Sequence, residues 1–130
     1  MAMDRNLVIL RGHIGHEPKV FSNNSPKVAK FSLATNESRK NPSTGNWESI
    51  PTWHQIVAFE NIATIVEKHV AKGSYVEIMG KLQNREYNDN GIRKFITEVV
   101  ATEVHVIMKG KLQNNTSNQD GNYVPDPNRF

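Results

Sequence analysis

The chain has no cysteine among its 130 residues, which removes disulfide staples, thiolate metal sites and cysteine nucleophiles together. Packing and backbone hydrogen bonds must hold the fold. No apolar run approaches the ~18 residues that span a bilayer, and Asp4 and Arg5 stand where a signal peptide needs an apolar stretch. These absences predict a soluble, cytoplasmic protein with no membrane partner. Signatures of catalysis are missing too. There is no G-x-S-x-G elbow, no glycine-rich phosphate loop and no carboxylate pair set for acid/base work; Glu60, Glu67 and Glu77 read as solvated faces. The five histidines, His13, His16, His54, His69 and His105, share no helix face at i, i+4 and have no carboxylate at ligand spacing. The expectation is a protein that is not an enzyme and carries no metal or other cofactor.

What is present is enough for one core, with 37% hydrophobic residues, and the expectation is one domain over 1–111 with a flexible tail over 112–130. The net charge of +3 belongs to the first of these, which holds 15 Lys and Arg against 11 Asp and Glu. Asn6 to Ile14 reads as a strand, with Gly12 marking a bulge or bend. Lys27 to Thr35 alternates, offering Ala29, Phe31 and Leu33 to one face. Ile50 to Phe59 sets Ile50, Thr52, His54, Ile56 and Ala58 against Pro51, Trp53, Gln55, Val57 and Phe59, so one face can enter a core while the other shows aromatics. Ile62, Ile65, Val66 and Val70 have helical spacing, and Lys72-Gly73-Ser74 supplies a stop, predicting a helix over 61–71. Tyr75 to Tyr87 and Ile92 to Ile107 are strands joined by Asn88-Asp89-Asn90-Gly91, a hairpin signal. Five strands with a helix between the third and fourth is the chain order of an all-β OB barrel, although periodicity alone leaves another small α+β arrangement open.

Two segments read as irregular. Asn36 to Ser49 is polar and turn-rich and carries Arg39, Lys40 and Trp47, which predicts a mobile, functional loop. From Gln113 the chain has too few aliphatic residues to offset the entropy of ordering.

The aromatics Trp47, Trp53, Phe59, Tyr75, Tyr87 and Phe95 interleave with Arg39, Lys40, Lys72, Lys81, Arg85 and Lys94. Rings between cations suit a single strand of nucleic acid, because every base has a π-face and a basic groove follows the phosphates. The competing reading is that the rings are core. Tyr75 and Phe95 read as core, Trp47 in its polar loop reads as exposed, and pattern alone leaves Trp53, Phe59 and Tyr87 open between the two.

Three stretches, Phe31-Ser32-Leu33-Ala34-Thr35-Asn36-Glu37, Thr52-Trp53-His54-Gln55-Ile56-Val57-Ala58-Phe59 and Val70 through Leu82, resemble the bacterial and mitochondrial single-stranded DNA-binding protein family. So does the opening Val8-Ile9-Leu10-Arg11-Gly12-His13-Ile14-Gly15 with Pro18 behind it. The match runs in order from about Asn6 to Ile107. The resemblance implies an OB-fold subunit that assembles into a homotetramer and wraps single-stranded DNA without sequence preference in replication, recombination and repair. By position it implies base stacking on Trp53, Phe59 and Tyr87, phosphate contacts from Lys72 and Arg85, and a subunit contact at His54.

Some positions depart from the family. Arg39 stands where a further stacking tryptophan is usual, with Trp47 nearby as a substitute and Lys40 as a second cation. Gln55, Asn61 and Glu86 replace groups that are often basic, which predicts weaker or more salt-sensitive binding. The family's acidic tip, through which replication and repair enzymes are recruited, is reduced here to Asp120, Asp126 and a terminal Phe130 preceded by Arg129. Such a tail fits a plasmid, phage or organelle version, whereas the localisation expected from the family is cytoplasmic and nucleoid-associated. The rivals are a primosome-type OB-fold dimer acting as a replication restart adaptor, and a small OB-fold nuclease, for which no acid/base or metal constellation is found.

Overall fold

The computed structural model describes residues 3–23 and 25–110. Its elements are β1 (Val8–Ile14), β2 (Lys19–Phe21), β3 (Val28–Lys40), β4 (Trp47–Phe59), α1 (Glu60–His69), β5 (Tyr75–Asp89) and β6 (Ile92–Met108). The strands run in the order β1-β5-β6-β4-β3-β2, and an additional β1–β3 pairing closes the sheet on itself. This is the OB-type barrel, with its single helix connecting β4 to β5.

Closure depends on β1 changing partners. Val8 to His13 pair with β5, whereas His13 and Ile14 pair with Ala34 and Leu33 of β3. At the changeover stands Gly12, where a Cβ would lie 2.1 Å from the Ala34 carbonyl oxygen. Only glycine lets the two backbones approach so closely. On the far side, β4 and β6 meet in parallel through Ile56↔Val99 and Val57↔Val100.

The core follows the period-two alternation. Ile14, Ala29, Phe31, Leu33, Ile56, Ala58, Val76, Ile78, Val99 and Ala101 point inward, and the helix covers one end with Ala63 and Val66, joined by Val70 just beyond it. Ile65, expected on the apolar face of the helix, is 36% exposed at its rim. The helix spans 60–69 rather than 61–71. It opens at Glu60, which has φ of 51° and donates its N–H to the Lys27 carbonyl at 2.9 Å. Beyond the helix, the buried Ser74 hydroxyl accepts hydrogen bonds from the Ala71 and Gly110 amides, so this buried polar side chain is satisfied.

Two expectations about the strands are corrected. Among the described residues six strands are present, because Lys19–Phe21 adds a short edge strand against Val28–Lys30. The segment 36–49 is not an irregular loop: β3 and β4 stay paired out to Lys40↔Trp47, leaving a turn over 41–46. Asn41 holds that turn, its side-chain oxygen accepting from the Ser43 amide at 2.8 Å and its carbonyl accepting from the Gly45 amide at 2.7 Å. A polar ribbon has no hydrophobic alternation to announce it, yet the backbone ladder extends outward from the buried pairs at its base. The β5–β6 hairpin closes as anticipated, with Asn90 and Gly91 both at positive φ between the paired Asp89 and Ile92. Among the described residues no helix is long and apolar enough to cross a membrane, and no group of three or more His, Asp or Glu could hold a metal.

Candidate nucleic-acid interface

Residues paired across antiparallel strands share a face, and alternate residues along a strand share it too. From Val28↔Phe59 and Ala34↔Trp53 out to Lys40↔Trp47, one face of β4 therefore carries Trp47, Trp53 and Phe59. The three rings are spaced six residues apart, roughly 20 Å at each step. Lys30 and Lys40 of β3 stand on the same face. It is the outward face, since Ile56 and Ala58 on the other side enter the core. Trp47 is 70% exposed and Trp53 37%, and Phe59 is half-buried.

The β4–β6 pairing of Val57 with Val100 carries this outward face onto β6, and Lys81↔Val100 through Tyr87↔Lys94 carry it onto β5. Tyr87, 41% exposed, thus lies on the same face as the β4 rings. Trp53 has a further neighbour that the sequence reading missed. The His16 ring, from the turn after β1, lies nearly parallel to it, with centroids 6.5 Å apart and planes at 15°. The clue was its place between Gly15 and Pro18, which bend the chain back toward the sheet.

The cations fall into two groups. Lys40, Arg39 and Lys72 are exposed and form no salt bridge among the described residues. Arg85 is engaged: its Nε donates to Glu98 Oε1 at 2.9 Å and its Nη2 to Oε2 at 3.5 Å, and the hydrogen bond to Glu98 raises its pKa above the usual guanidinium value. Glu86 pairs with Arg93, and Lys94 with Asp89 at 2.9 Å. Arg39 lies opposite Glu48 on the reverse face from Trp47, so it is not in line with the rings of β4.

His54 also belongs to the reverse face. It is half-buried and shares a hydrogen bond with Thr35 Oγ1 at 2.9 Å, and burial lowers its pKa. Phe95, expected in the core, is 65% exposed. It sits opposite Glu86, on the inward-facing side of the sheet but beyond the point where the barrel ends. Tyr75 is half-buried, its ring 4.8 Å from that of His13. Phe130 and Asp126, singled out as a partner-binding tip, lie outside the described residues.

The chain is similar to known proteins in sequence and in fold. The chain is 36% identical over 127 residues to the single-stranded DNA-binding protein of Rickettsia felis, covering 93% of this chain and 84% of the relative. It is 39% identical over 110 residues to single-stranded DNA-binding protein 1 of Chlorobaculum tepidum, covering 82% and 67%. The structure of the Plasmodium falciparum SSB complex with ssDNA superposes with a TM-score of 0.68 at 31% identity, covering 82% of this chain and 98% of that one. Residues 5–108 match the single-strand binding protein family, and the chain belongs to that family.

Proposed function

We propose that this protein binds single-stranded DNA without sequence preference, protecting and wrapping it in replication, recombination and repair. The observation that carries the reading is the row of Trp47, Trp53 and Phe59 along one outward strand face, extended by Tyr87. Stacking on such rings tolerates any base, and each is worth ~1–3 kcal/mol. Lys40 and Lys72 supply positive charge without a carboxylate partner among the described residues. The relatives named for single-stranded DNA binding support the same reading.

The working form is a homotetramer, because linking several short tracks raises their effective concentration for one long strand, and His54 is the subunit contact that the family resemblance implies. Phe130 and Asp126 are the candidate tip for recruiting replication and repair enzymes, set against a vestigial tail, which Arg129 favours because it would oppose a basic pocket on a partner. Titration with poly(dT), followed by tryptophan emission and native mass, tests the first two statements. Quenching that saturates on a tetramer is expected; no quenching would overturn the stacking reading, and a stable dimer would favour the restart-adaptor alternative.

A further inference from the structure

Among the described residues Glu98 is the single charged one that is buried, 5% exposed, and it lies on the proposed DNA face. Gln83↔Glu98 and Lys81↔Val100 are register partners, which sets Glu98 in line with Val100 on the outward side. Its diagonal neighbour Arg85 grips it with two donors. The partners are unequal: the side chain of Arg85 is 42% exposed and that of Glu98 6%. A buried carboxylate needs its counter-charge continuously, since losing the partner leaves an uncompensated ion. The guanidinium is therefore committed before any DNA arrives, and what it presents to a phosphate is spare N–H donors with its charge largely cancelled.

We propose that Glu98 sets the strength and salt dependence of this face by occupying Arg85, acting as a built-in competitor for the phosphate. The proposal rests on the single-stranded DNA reading above. It makes Glu98 an affinity-determining residue that need not touch the nucleic acid. The sequence hint is a lone carboxylate within Ile96-Thr97-Glu98-Val99-Val100-Ala101, a stretch of β6 otherwise free of charge.

The test compares the full chain with Glu98→Gln and Glu98→Met in poly(dT) titrations across a salt series, with thermal unfolding of each. Both substitutions conserve approximate size and release Arg85, which is exposed enough to remain solvated. Binding is expected to tighten roughly threefold to tenfold at about 50 mM salt, and the slope of log affinity on log salt to steepen by ~0.7 per subunit, the value for one more phosphate neutralised on a single strand. Glu98→Met guards against a folding defect peculiar to a buried amide. An unchanged or shallower slope in the folded variants, or weaker binding, would overturn the proposal and leave Glu98 a structural partner of Arg85. If the unsubstituted protein also failed to bind, the DNA reading itself would fall, and that result is recognisable because all three proteins would share it.

Discussion

Lys40 stands directly opposite Trp47 at the outer end of the β3–β4 ribbon, pairing a cation with no salt bridge among the described residues and a ring that has little to pack against. The pair continues the row begun by Trp53 and Phe59 beyond the barrel. Trp47→Ala and Trp53→Ala are each expected to weaken poly(dT) binding by ~1–3 kcal/mol. Because Trp47 is 70% exposed, its removal should leave the unfolding midpoint unchanged. Fluorescence titration beside thermal unfolding checks both, and unaltered affinity in either folded variant would remove that ring from the DNA path.

Lys72 and Arg85 separate on salt dependence. Lys72→Ala should make the slope of log affinity on log salt shallower by ~0.7 per subunit, with the same effect on every base composition. Arg85→Gln should change that slope by clearly less, since Glu98 already balances the guanidinium. Equal changes in the two variants would contradict this difference.

Gly12→Ala should destabilise the barrel by at least ~1–3 kcal/mol, as overpacking typically does. The new Cβ would meet the Ala34 carbonyl oxygen at 2.1 Å and the Ala34 carbonyl carbon at 2.9 Å, and backbone cannot step aside as a side chain can. Chemical denaturation measures the loss; a midpoint equal to that of the unsubstituted chain would mean the strands separate without cost.

Stability should decline as the solution is acidified. Burial lowers the pKa of His13 and of His54 from the ordinary value of 6.5, so near that pH the unfolded chain binds more protons than the folded one. The contribution is complete above the unfolded pKa and disappears as pH falls through the lowered folded values. At still lower pH, Glu67 acts in the same direction. Its hydrogen bond from Lys27 lowers its pKa from 4.5, and that contribution is lost as pH falls through the folded value. Denaturation between pH 8 and 5 should show the histidine part, reduced in His54→Gln; a flat profile would contradict it.

Phe95→Ser should change stability by no more than about 0.5 kcal/mol, the range of an ordinary surface substitution. A large loss on unfolding would return Phe95 to the core.

Much of this protein is legible in residue order. Alternation along Lys27 to Thr35 and Ile50 to Phe59 separates a face of Phe31, Leu33, Ile56 and Ala58 from a face of Trp53 and Phe59, because a strand sends successive side chains to opposite sides, while closure of the barrel decides that the second face is the outward one. Asn90-Gly91 announces its own turn, because consecutive positive φ angles favour such residues. Tertiary structure decided what depends on partners distant in the chain. The 36–49 segment is a paired ribbon because the ladder inherits its register from buried pairs at its base, which a polar stretch does not advertise. Phe95 is exposed because β5 and β6 run on past the end of the barrel, so an inward-facing position there has no opposite wall. Arg85 is joined to Glu98 because the β5–β6 register sets the two diagonally across from one another and buries the carboxylate. Composition counts the charges, but only the register says which of them are already paired.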